Sequence, residues 1–147
     1  MRMIHATCVA IAGNGILLRG PSGHGKSDLA LRLIDCGASL VADDQVVLET
    51  EAGCLVARAP APIAGKLEVR GLGPVSVDSV PLAPIRLVVD LTPGEMIERL
   101  PERQVASILG VSLPVMTLDP FHASAPAKVR VALASLTNAS AALAIDG

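Results

Sequence analysis

Gly20-Pro21-Ser22-Gly23-His24-Gly25-Lys26-Ser27 is a full match to G-x-x-x-x-G-K-[ST] and carries more chemical content than any other stretch of the chain. A chain of phosphates is held by several backbone N–H groups converging on its oxygens, and glycines let the main chain curl close enough to supply them. A helix opening near Lys26 adds the positive end of its dipole, the Lys26 ammonium serves the β- and γ-phosphates, and the Ser27 hydroxyl is a ligand for Mg²⁺. His24 is given a role through its backbone alone. Asp43 and Asp44 stand 17 and 18 residues beyond Lys26, just after Leu40-Val41-Ala42, at the strand end where ligands of open α/β sheets gather. One carboxylate there can hold Mg²⁺, directly or through water, while its neighbour takes the proton of an attacking hydroxyl. Together these residues point to nucleotide binding, with Mg²⁺ as the accompanying cation.

Such a loop needs a strand before it and a helix after it. His5 to Ile11 alternates loosely and turns through Gly13-Asn14-Gly15 into Ile16-Leu17-Leu18, which reads as a two-stranded hairpin. From Lys26 to Cys36, Leu29, Ala30, Leu33 and Ile34 recur at helical spacing, with Asp28 and Arg32 as an i,i+4 pair and Gly37 as the stop. Leu40 to Ala42, Val46 to Leu48 and Cys54 to Ala57 read as extended, and Leu67 to Gly73 as a strand edge or a tight loop. Ile85 to Leu91 is the most strand-like run and Val115 to Leu118 a weaker one, with a loop or short helix between them around Glu95 to Arg103. Ser124 and Pro126 open a last helix, whose stretch from Lys128 to Thr137 presents Val131, Leu133, Ala134 and Leu136 as its apolar face. The tail from about residue 138 is expected to fray.

With 147 residues the chain has the length of one domain, 1–147. Hydrophobic residues make up 51% but aromatics only 1%, so Val, Leu, Ile and Ala must build the core. A net charge of −2 offers no general attraction to nucleic acid or to anionic lipid. The lack of aromatics also removes the stacking surfaces on which single-stranded nucleic acid is bound. Cys8, Cys36 and Cys54 contain no Cys-x-x-Cys spacing, so neither a disulfide framework nor a zinc site is indicated, and a cytoplasmic location follows. The uncharged stretch Met3 to Leu18 is broken by Gly13, Asn14 and Gly15 and is too short to span a membrane.

Beyond the glycine-rich loop, His5, Leu40-Val41-Ala42-Asp43-Asp44 and Leu67-Glu68-Val69-Arg70-Gly71-Leu72-Gly73 make a combination far more specific than the loop itself. In these residues the sequence resembles the catalytic domain of HPr kinase/phosphorylase, a bacterial P-loop enzyme acting on a serine of the phosphocarrier HPr. The resemblance is strong over the first half of the chain and implies an α/β P-loop domain with a mixed sheet, related to phosphoenolpyruvate carboxykinase. It further implies Asp43 as the general acid/base, Asp44 with Ser27 and Glu68 around Mg²⁺, and Arg70 handling phosphoserine or phosphate. His5 would lie near the phosphates. The nucleotide implied is ATP, the partner an HPr-like phosphocarrier protein, and the assembly a homohexamer.

The resemblance implies the short single-domain form of the family. No Gly-Arg-Asn element follows Pro114-Val115, and the glycine-rich loop expected after the Leu-Glu-x-Arg-Gly strand is reduced to Asp78-Ser79-Val80-Pro81, so kinase action is better supported than phosphorolysis. Two other readings are a P-loop kinase or ATPase with a small-molecule substrate, and a nucleotide-sensing module without turnover.

Overall fold

The computed structural model describes residues 1–23, 25–97 and 104–137. Its first hairpin pairs β2 (Thr7–Ile11) antiparallel with β3 (Asn14–Arg19). Ala12 and Gly13, at φ 51° and 80°, form the two-residue turn, whose left-handed conformation suits the twist of the flanking strands. The turn therefore lies one residue earlier than expected, and Asn14 and Gly15 already belong to β3. Gly15 meets a different requirement: a Cβ there would come within 2.8 Å of the Pro84 carbonyl oxygen. That close approach brings β3 alongside β9 (Leu82–Leu91), its parallel neighbour.

The remaining strands are β1 (Arg2–His5), β4 (Ser39–Ala42), β5 (Gln45–Glu51), β6 (Cys54–Arg58), β10 (Gln104–Ile108) and β11 (Val111–Leu118). They join in one mixed nine-stranded sheet with the order β1-β5-β6-β9-β3-β2-β4, and β11 adds to β9 with β10 beyond it. β3, β9 and β11 run parallel, and β4 joins them in direction through the antiparallel β2. The strand ends Arg19, Ala42, Leu91 and Leu118 therefore share one rim of the sheet. A separate hairpin, β7 (Lys66–Val69) with β8 (Gly73–Ser76), resolves the stretch expected as either strand edge or tight loop. Of the segment around Glu95 to Arg103, a 3₁₀ turn spans Gly94–Met96, and residues 98–103 lie outside the described residues, as does the tail from 138.

Helices α1 (Lys26–Asp35) and α2 (Ala125–Thr137) both pack on one face of the sheet. Strand alternation divides the core: Ile16, Leu18, Leu87 and Val89 face the helices, whereas Leu17 and Val88 point to the opposite side and meet Leu48, Leu55, Ile108 and Leu113. Burial on both faces explains why β3 and β9 are almost wholly apolar. Arg19 and Asp90, paired across β3 and β9, form a two-pronged ion pair at 2.7 and 3.0 Å directly before the glycine-rich loop. Buried Cys8 stands on β2, and its thiol pKa is pushed up to about 12 by desolvation.

Two expectations are corrected. β1 is a separate strand, not the start of the hairpin; it leaves β2 at Ala6 and pairs with β5, His5 opposite Gln45. In α2 the buried stripe is Ala125, Val129 and Leu133, whereas Val131 is 70% exposed and Leu136 42%. Both stripes are apolar in sequence, and the position of the sheet decides which is covered. Val129→Ser should therefore destabilise the fold by about 2–3 kcal/mol through the lost packing and the buried hydroxyl. Val131→Ser should stay within about 0.5 kcal/mol of the parent. Urea denaturation of the two variants checks this, and equal losses would contradict the observed face.

Candidate active site

Between the end of β3 and α1, Ser22, Gly23 and Gly25 line one side of a cavity of about 820 Å³. Gly25 precedes the helix at φ 91°, a conformation glycine adopts without penalty, and its carbonyl accepts the first helical bond from the Leu29 N–H at 2.9 Å. Gly20, Pro21, Ser22 and Gly23 form the rest of the described loop, while His24 lies outside the described residues. Lys26 is only 7% exposed. Its Nζ donates to the carbonyls of Gly20 at 2.6 Å and Pro21 at 3.0 Å. Burial lowers its pKa, and the nearby carboxylates of Asp44 and Asp43 oppose that shift.

The two aspartates sit in different surroundings. Asp44 has a left-handed backbone, φ 68°, which aspartate tolerates better than most residues, and this turn between β4 and β5 sends consecutive side chains in separate directions. Asp43 points inward and is 5% exposed. Its Oδ1 accepts from Thr7 Oγ1 at 2.9 Å and Ser27 Oγ at 2.8 Å, and its Oδ2 accepts from the Glu68 N–H at 2.9 Å. The Asp44 side chain is 67% exposed, and its Oδ1 lies 3.1 Å from His5 Nδ1. The other ring nitrogen of His5 is 3.1 Å from Ser22 Oγ, so a chain of contacts runs from Asp44 through the imidazole to the glycine-rich loop.

Glu68 and Arg70 also line the cavity, with both side chains exposed. They form no ion pair with each other among the described salt bridges, and the hydrogen bond Glu68 makes to Asp43 comes from its backbone. Thr7 was not among the sequence candidates. Its signal was a hydroxyl heading the otherwise apolar run Cys8-Val9-Ala10-Ile11, where a fully buried polar group needs a partner.

The donor set fits a hard cation. Ser27 Oγ and Asp43 Oδ1 adjoin each other, and Glu68, whose backbone N–H meets Asp43, lines the same cavity. Among the described residues no group of three His, Cys, Asp or Glu side chains is arranged to hold a metal. Mg²⁺ does not require one, because it keeps several waters and uses one or two carboxylates together with substrate phosphates.

Residues 1–129 match the family model described as HPr Serine kinase C-terminal domain. The chain belongs to this family. It is 46% identical over 77 residues to an HPr kinase/phosphorylase of Clostridium beijerinckii, covering 52% of this chain and 26% of that protein. To the HPr kinase/phosphorylase of Geobacillus thermodenitrificans it is 37% identical over 127 residues, covering 78% of this chain and 41% of the other. The chain thus spans about a quarter to two-fifths of the length of these relatives. In structure it is similar to the Hpr(Ser) kinase/phosphatase of Coxiella burnetii, with a TM-score of 0.84 at 24% identity over 99% of this chain and 98% of that one. That likeness supports the mixed α/β architecture expected for an HPr kinase fold. None of the described helices is long and apolar enough to cross a membrane.

Proposed function

We propose that the chain is an ATP-dependent serine kinase whose acceptor is an HPr-like phosphocarrier protein. The observation carrying this reading is the placement of Asp44: an exposed carboxylate, oriented by His5, on the same cavity as Lys26 and Ser27. Backbone amides of Gly20–Gly25 and the Lys26 ammonium hold the β- and γ-phosphates. Ser27 and Asp43, with Glu68 nearby, would hold Mg²⁺, which supplies charge neutralisation to the transferred group. Asp44 takes the proton of the incoming serine hydroxyl, and His5 fixes the carboxylate's direction while tying it to Ser22. Arg70, exposed in the cavity lining, offers a guanidinium to the acceptor's phosphoserine. Catalysis of this kind depends on alignment and charge stabilisation.

This assignment exchanges the roles that the resemblance implied for the two acids. Asp43 already accepts from three donors and is only 5% exposed, which suits a residue held for the cation better than one that meets an approaching protein. Asp44 suits the second task. In the reverse direction a protonated Asp44 would return its proton to the serine oxygen as phosphate attacks.

The test is incubation of purified carrier protein with ATP, Mg²⁺ and this chain, followed by intact-mass measurement. The carrier should gain one phosphoryl group, and its Ser→Ala variant none. Bound ATP without transfer would favour a nucleotide-sensing module, and transfer to a small molecule alone would favour the other kinase reading.

A further inference from the structure

Besides the acid pair and the loop, the cavity is lined by Asp28, Leu31 and Phe121. Phe121 is the single aromatic residue of the chain and is 69% exposed. It follows β11, while Asp43 and Asp44 follow β4, and β3 with its glycine-rich loop lies between these strands in the sheet order. A nucleotide whose terminal phosphate meets the acids and which runs across the loop and the first turn of α1 would reach the loop after β11.

The ring is held in place by contacts that do not cover it. The Phe121 N–H donates to Asp119 Oδ1 at 2.9 Å. The Arg32 guanidinium donates to the carbonyl of Pro120 and, at 3.2 Å, to that of His122. Phe121 Cε1 lies 3.3 Å from the position a Cβ would take on Gly25, so the ring edge rests on the residue that opens α1. An apolar plane is thus fixed beside the phosphate loop and left open to the cavity.

We propose that Phe121 is the stacking surface for the purine base of the bound nucleotide. The inference rests on reading Gly20–Ser27 as a triphosphate site. A chain too poor in aromatics to bind a nucleic acid strand needs only one ring to seat one base. Base stacking on an aromatic side chain tolerates different bases, because each has a π-face, and its loss costs a measurable share of affinity.

The test compares Mg·ATP with Mg·tripolyphosphate, which has the phosphates and no base, by titration calorimetry on the parent, Phe121→Ala and Phe121→Leu. ATP binding should weaken about tenfold in Phe121→Ala, with tripolyphosphate binding changed less than about twofold. Phe121→Leu keeps apolar packing on Gly25 without a π-face and should behave as the alanine variant does; Phe121→Tyr should restore ATP affinity. Equal weakening of both ligands, or no weakening of ATP, overturns the base site while leaving the phosphate site standing. A parent protein that binds neither ligand would overturn both.

Discussion

Asp44→Asn should lower phosphoryl transfer by about 10²- to 10⁴-fold, the range over which a positioned general base contributes, with ATP affinity changed less than about twofold. The substitution keeps shape and one carbonyl oxygen for His5 but removes the basic lone pair facing the acceptor. Asp43→Asn has a different profile. An amide there turns one carboxylate oxygen into a donor against Thr7 and Ser27 or against the Glu68 N–H, so stability and Mg·ATP binding should fall together. Single-turnover transfer and calorimetry on both variants separate the two roles. Full turnover in Asp44→Asn, with loss of chemistry alone in Asp43→Asn, would return the base to Asp43.

For Lys26→Ala the expected result is a loss of about 10- to 100-fold in ATP affinity, the size of a charge-assisted hydrogen bond removed from a phosphate. The fold should tolerate the change. The carbonyls that lose the ammonium belong to half-buried Gly20 and exposed Pro21, where water can replace it, and burial already disfavours the charge. Affinity equal to that of the parent, measured by calorimetry with Mg·ATP, would reject the lysine as a phosphate ligand.

What could be read in advance was local in origin. The glycine-rich loop, the helix from Lys26 with its Asp28–Arg32 pair, now seen at 3.1 Å, and the acids after Leu40-Val41-Ala42 all follow from short-range spacing. Features set by tertiary packing or by weakly patterned segments were not legible. β10 is an edge strand whose Gln104-Val105-Ala106-Ser107-Ile108 shows little patterning, and its strand state comes from the hairpin it makes with β11 through Leu109 and Gly110. Of the expected face of α2, Leu133 is buried but Val131 and Leu136 are exposed, and in sequence these two are as apolar as the buried Val129. The division of labour between the acids depends on the backbone of Asp44: at φ 68° it separates side chains that sequence can only describe as adjacent.

β1 has β5 as its neighbour and lies at the end of the sheet order, and its last residue is His5. A strand supported on one flank frays at lower cost than the interior strands beside it. The imidazole that aims Asp44 is therefore mounted on one of the least anchored pieces of the molecule. Warming or mild denaturant would disarm the chemistry while the central strands are still intact, so loss of activity and loss of fold are separate events.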